Sequence, residues 1–160
     1  MRFIRSEKSH NQIVVADGEA GRGVYFYSER NRKMADYYLS GTNRIIIATP
    51  KPRCSIVDLT TADMSRRLVS FAREEIDLTA ERMGGHYVKP KIYKSNVQRF
   101  GRIIMYFVRR YCPQADAYMV GHSGPGLPSG TQLVVLNLDA FDISEMTLDE
   151  YRDEYRKGLK

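Results

Sequence analysis

The stretch GRGVYFYSERNRKMADYY, residues 21–38, decides how the rest of the chain is read. Gly21 and Gly23 stand one residue apart and lead into Val24, Tyr25 and Phe26, the pattern of a glycine-flanked turn feeding a strand. Ser28 then suits a helix N-cap, ahead of a helix through Met34, Ala35 and Tyr38 that ends near Gly41. Working outward, residues 2–5 and 12–15 read as short strands. RIIIAT (44–49) is a continuous apolar run and reads as a strand buried on both faces. CSIVDL (54–59) follows the breakers Pro50 and Pro52 as a further strand.

Thr60 or Thr61 caps a helix predicted over 62–83, closed by Gly84 and Gly85, with Met64, Leu68, Phe71 and Leu78 on one side. KPKIYKS (89–95) reads as a linker, and Ser95 as the cap of a second helix, over 96–112. Val97, Phe100, Ile104, Phe107, Val108 and Tyr111 recur there at three- and four-residue steps, an apolar stripe. Arg99, Arg102, Tyr106, Arg109 and Arg110 fall on the other side. Strands follow at 117–120 and from Gln132, separated by a glycine- and proline-rich stretch over 121–130. Thr147 and Glu150 have the spacing of a capping box for a terminal helix. The expected fold is a single α+β domain over 1–160, with strands at both ends and helices between.

Length and composition suit such a domain: 160 residues at 42% hydrophobic content can bury a core without staples. Cys54 and Cys112 match no metal spacing and read as buried, reduced thiols; with only three histidines no zinc site is expected. No apolar run is long enough for a membrane span, and MRFIRSEKSHNQ has no secretory h-region, so a cytoplasmic location without a membrane partner is expected. The net charge is +6 and the pI about 9.4. Between Glu81 and Asp116 there is no acidic residue, whereas Asp139, Asp142, Glu145, Asp149, Glu150, Asp153 and Glu154 crowd the tail. A block this basic meets a polyanion or an acidic protein surface, or serves as a solvated face. A helix face carrying four arginines and one tyrosine suits phosphates and a stacked base.

AYMVGHSGPGLPSG (117–130) invites a different idea, since Gly121 to Gly124 begin like the G-x-S-x-G elbow of serine hydrolases. Three points oppose it. Pro125 holds the position that must be small, PGLPSG is no helix, and no histidine follows Ser123 to act as its base. The stretch 121–130 is instead expected to be a long flexible loop over a substrate.

The opening segment resembles the G-x-G-[IV]-Y-F…A-x-Y signature of the ADP-ribosyltransferase superfamily, in its poly(ADP-ribose) polymerase and diphtheria-toxin branch: Gly21, Gly23, Tyr25-Phe26, and Ala35 with Tyr38. GTQLVVLNLDAFDI (130–143) resembles the late strand of that family, and FIRS (3–6) its first strand. The three segments occur in the family's order. The resemblance implies a split pair of small antiparallel sheets with flanking helices and NAD, as substrate, in the crevice between them. It implies that Arg5, within one residue of uncertainty that takes in Ser6, holds the dinucleotide; that Gly21 and Gly23 admit the nicotinamide amide; and that Tyr25 stacks on the ring with Tyr38 as a further wall. The family's catalytic glutamate falls on Gln132, which can hold a ribose hydroxyl but offers no charge to an oxocarbenium-like state.

Three accounts of Gln132 stay open: a substitution that silences a toxic enzyme, a slow branch that uses glutamine or another acid such as Glu29, or a nucleotide-binding domain without catalysis. Gly130 stands where arginine-modifying members carry an acid, so arginine is not the expected acceptor. The resemblance and the basic helix together imply mono-ADP-ribosylation of a nucleic acid or a nucleic-acid-bound protein. A toxin or phage effector fits, with an antitoxin as the further partner. The alternative is a nonenzymatic nucleic-acid-binding module built on the basic helix; a third is an interaction protein that meets an acidic partner. Each piece also has a plain reading: a turn and core strand at GRGVYF, packing tyrosines at 25 and 38, and a surface ion pair for Arg5 with Glu7 or Glu29.

Overall fold

The apolar run Ile45-Ile46-Ile47-Ala48 sets the middle of the molecule: it lies in a seven-residue strand, Arg44–Pro50, and all four side chains are buried, as a run covered on both faces requires. The computed structural model describes residues 1–7, 16–18, 20–30, 44–75, 90–124 and 127–158. Its strands are β1 (Phe3–Glu7), β2 (Ala16–Gly18), β3 (Gly21–Ser28), β4 (Arg44–Pro50), β5 (Ile56–Asp58), β6 (Ala117–Gly124), β7 (Leu127–Val135) and β8 (Phe141–Thr147). Its helices are α1 (Ala62–Glu75), α2 (Pro90–Tyr111) and α3 (Leu148–Gly158), with a 3-10 turn at Leu138–Ala140. This is an α+β architecture.

Seven strands form one hydrogen-bonded path, β5-β6-β7-β3-β1-β4-β8, and β2 pairs with β3 beside it. Only β5–β6 is parallel among the described pairs, so the sheet is mixed rather than the antiparallel pair expected. The path has a narrow joint. β1 and β3 pair at Phe3↔Ser28 and Ile4↔Tyr27 alone, whereas β1 stays paired with β4 from Phe3↔Ala48 to Glu7↔Arg44. Beyond Ile4 the two central strands part company, leaving β5-β6-β7-β3 on one side and β1-β4-β8 on the other.

Residues opposite each other in an antiparallel pair share a face. One face carries Tyr118, Val120, Val134 and Tyr25 against α1 and α2, packed with Leu68, Phe71, Ile103, Ile104, Phe107 and Val108. It continues through Ile4, Ile45 and Ile47, which meet Tyr151 of α3. The other face joins both halves: Phe3, Val24, Phe26, Ile46, Leu133 and Phe141 form one cluster beside Cys54 and Leu138. The cysteines are half-buried and free, and burial pushes the Cys54 thiol above its ordinary range.

Local signals explain the element ends. Thr61 Oγ1 accepts from Met64 N at 3.3 Å at the start of α1. In α3, Glu150 Oε2 accepts from Thr147 N at 2.8 Å and Thr147 Oγ1 from Glu150 N at 3.2 Å, so the capping box forms. KPKIYKS is not a linker: α2 begins at Pro90 and runs through Ser95, because proline's fixed φ suits a first helical turn whose N–H groups lack partners anyway. The stretch 121–130 is not a long loop either. β6 continues to Gly124 and β7 starts at Leu127, paired at His122↔Gly130 and Gly124↔Leu127. The register slips between His122 and Gly124, and Pro128, which has no N–H to give, falls in that slip. Tyr111 is 44% exposed rather than part of the buried stripe, which Ile103 joins instead. The strand expected at 12–15, the helix through Met34 and Tyr38, and Leu78 lie outside the described residues.

Candidate functional site

The joint between β1 and β3 gathers residues that are far apart in sequence. β7, β3 and β1 are consecutive neighbours at the middle of the sheet, so 3–6, 21–28 and 130–135 lie side by side. Gln132 pairs with Tyr27 and with Val120 across its two neighbours. Tyr25 is opposite Val134, which makes it a diagonal neighbour of Gln132 on the same face, and such positions lie roughly 7–8 Å apart. Where the β1–β3 pairing stops, the Arg5 guanidinium crosses over and donates from Nη1 to the Tyr25 carbonyl at 3.3 Å. Ser6, the next residue of β1, pairs with Ile45 of β4 and is half-buried.

Register sets a limit on how these groups act. Arg5 pairs with Ile46, whose side chain belongs to the far-face cluster, whereas Ser6 pairs with Ile45 on the helix-covered face. Ser6, Tyr25 and Gln132 therefore belong to one face, and Arg5 reaches the joint from the other. Gln132 is 2% exposed, a buried polar side chain in a row of apolar ones. At that burial the amide is closed off from solvent.

The two glycines are used inside the protein. Gly21 has φ +109°, and a Cβ there would stand 2.5 Å from Met105 Cγ, 2.6 Å from Tyr118 Oη and 3.0 Å from the Gly101 carbonyl of α2. At Gly23 a Cβ would stand 2.5 Å from Val134 Cγ1 and 2.8 Å from the Val135 carbonyl. Close approach of α2 and β7 accounts for both. The Tyr25 phenol is likewise engaged: it donates to the Gly21 carbonyl and accepts from Ala20 N at 3.3 Å. Tyr118 donates to the Ala20 carbonyl, and burial pushes its phenol well above the usual range. The turn at 20–21 is thus held by two tyrosines from β3 and β6. Tyr38 lies outside the described residues.

Glu29 is no spare acid. Arg2 grips it twice, Nη2 to Oε1 at 2.6 Å and Nε to Oε2 at 2.9 Å, and Tyr151 Oη donates to Oε1 at 2.9 Å. Burial alone would raise the Glu29 pKa; the Arg2 and Tyr151 hydrogen bonds outweigh it and hold the carboxyl below its ordinary range. Arg2 also donates to Glu154 at 2.8 Å, so the cluster ties β1 to α3. No short-range signal in the sequence announces it, because its partners are 27 to 152 residues apart.

The exposed side of α2 carries Arg102, Tyr106, Arg109 and Arg110, with Tyr106 53% exposed. Arg99 is in the helix; its side chain lies outside the described residues. At the helix end the Tyr111 ring packs edge-on to Phe71 and has Arg67 of α1 at 5.1 Å and Arg110 at 5.5 Å from its centroid. The basic surface therefore continues from α2 onto α1, a pairing invisible in either helix alone. Ser123 sits within β6, on a hairpin rather than a strand-to-helix turn, so the hydrolase elbow does not form. Among the described residues no cluster of three His, Cys, Asp or Glu side chains fits a metal ion, and no helix is long and apolar enough to cross a membrane. The chain matches no family model, no curated protein and no solved structure.

Proposed function

We propose that this is an ADP-ribosyltransferase-like domain that moves ADP-ribose from NAD to a macromolecular acceptor, a nucleic acid or a nucleic-acid-bound protein. The observation that carries the reading is the adjacency of β1, β3 and β7: the three segments that resemble the family are neighbours in the sheet. The parting of β1 from β3 beyond Ile4 supports a split pair of sheets with a crevice between them. In this reading Arg5 and Ser6 hold the dinucleotide from β1, the Tyr25 ring bounds the nicotinamide side, and Gln132 holds a ribose hydroxyl. The acceptor's nucleophile forms the new bond to the ribose carbon as the bond to nicotinamide breaks. Nicotinamide leaves with the bonding pair, and the acceptor's proton passes to water. Gly21 admits the close approach of α2 and Gly23 that of β7.

A glutamine at this position removes the charge that offsets the developing cation, a loss on the order of 3 kcal/mol, about a hundredfold in rate. The test is incubation of labelled NAD and a cell lysate with the protein and with Gln132→Glu. Label transferred at least tenfold faster by the substituted protein supports the reading. No label with either, together with no NAD-dependent rise in Tm, overturns it.

A second reading rests on the exposed basic face of α2: a nonenzymatic nucleic-acid-binding module. It expects Arg102→Ala with Arg109→Ala to abolish function and Arg5→Ala to matter little. The transferase expects the opposite order of severity.

A further inference from the structure

Beside the C-terminal half of α2 there is a cavity of about 450 Å³, within the span of roughly 300–1,000 Å³ that small-molecule sites occupy. Val108 and Pro113 close one side, Val135 and Leu136 of the β7 end another, and Arg22 and Arg109 stand in its lining. Leu136 is 41% exposed although strongly apolar, so this wall faces solvent. Arg109 also belongs to the exposed face of α2, one turn beyond Tyr106. A slot with apolar walls and guanidinium donors thus opens directly onto the basic face.

We infer that this cavity takes one unstacked base of a single-stranded nucleic acid. The phosphates on either side run along Arg102, Arg109 and Arg110, and a neighbouring base stacks on Tyr106. The apolar walls match the flat face of a base, which a duplex keeps covered by its neighbours, and the arginines match the acceptor atoms on its edge. Charge complementarity argues for a polyanion: the chain has no acidic residue between Glu81 and Asp116, the segment that contains α2. The inference rests on the nucleic-acid part of the reading above and is independent of NAD.

The test is fluorescence anisotropy, without NAD, on labelled single strands of about a dozen nucleotides and on the matching duplexes. Single strands are expected to bind roughly tenfold tighter or more, and Tyr106→Ala to lose roughly tenfold. Arg109→Ala is expected to lower the log–log salt slope by about 0.7 on single strands. Leu136→Glu puts a negative charge at the mouth of the slot on an exposed position; it is expected to weaken single-strand binding at least tenfold with Tm unchanged. Equal or tighter duplex binding, or full binding by Leu136→Glu, overturns the inference and leaves a nucleic-acid-binding α2 in place. No binding to either form at low salt overturns both.

Discussion

Replacing Gly21 with alanine separates a packing role from a ligand role. The backbone there has φ +109°, a region that costs a Cβ-bearing residue about 1–3 kcal/mol. The new methyl would meet three neighbours. Met105 Cγ at 2.5 Å is the flexible one and can swing aside. Tyr118 Oη at 2.6 Å cannot retreat without giving up its bond to the Ala20 carbonyl. The Gly101 carbonyl at 3.0 Å is helix backbone. Overpacking of this kind adds about 1–3 kcal/mol, against a gain of about 0.4–1 kcal/mol from a stiffer unfolded chain. The net is a loss of about 1–6 kcal/mol, centred near 3, a large part of the 5–15 kcal/mol typical of a domain. In urea, the central loss of about 3 kcal/mol with a slope of about 2 kcal/mol per molar lowers the midpoint by about 1.5 M. Gly121→Ala is the control, since nothing lies within 4 Å of a Cβ built there. A Gly21→Ala midpoint within about 0.2 M of the parent would refute the packing argument. That result, combined with lost NAD-dependent stabilisation, would return Gly21 to the ligand.

Gln132→Glu places a carboxyl where the side chain is 2% exposed, so its folded pKa rises above the unfolded value. The variant then matches the parent in acid and falls behind as pH climbs past about 4, by about 1.4 kcal/mol per pH unit until the folded pKa is reached. Thermal melts from pH 5 to 8 check this, and a gap that stays constant means that a cation compensates the charge. Glu29 has the opposite sign. Its folded pKa is depressed, so its contribution is complete above the unfolded pKa and is lost as pH falls through the folded one. Between about pH 5 and 3 the parent should lose more stability than Glu29→Gln, and parallel losses would contradict the Arg2 and Tyr151 assignment. Thr147→Ala removes the α3 cap and should cost about 0.5–2 kcal/mol in chemical denaturation; no change would mean that the capping box is ornamental.

What the sequence disclosed depended on range. Thr147 and Glu150 are three residues apart, so their cap is written in the spacing, and RIIIAT is a short, isoleucine-rich apolar run ahead of Pro50, which favours a strand covered on both sides. KPKIYKS misled because Pro90 punctuates a chain equally well as a breaker or as a first helical residue, and only packing chooses. The stretch 121–130 misled because glycine and proline suggest a loop, whereas a slipped register admits Pro128 to a paired strand. The candidate site was legible only through resemblance: composition alone does not put Arg5 beside Tyr25, or Tyr27 opposite Gln132. The Arg2–Glu29–Tyr151 cluster and the Arg67–Tyr111 contact were not legible at all, since they depend on which elements meet.

The joint between β1 and β3 gives the sheet the mechanics of a folding screen. Two residue pairs and a hydrogen bond from Glu29 N to the Arg2 carbonyl form its backbone connection, while Phe3, Phe26 and Ile46 bind the panels through side chains. Side-chain contacts tolerate rotation better than a ladder of aligned hydrogen bonds does. Tilting one panel against the other would shift Arg5 relative to Gln132 and leave every longer pairing of the described strands intact.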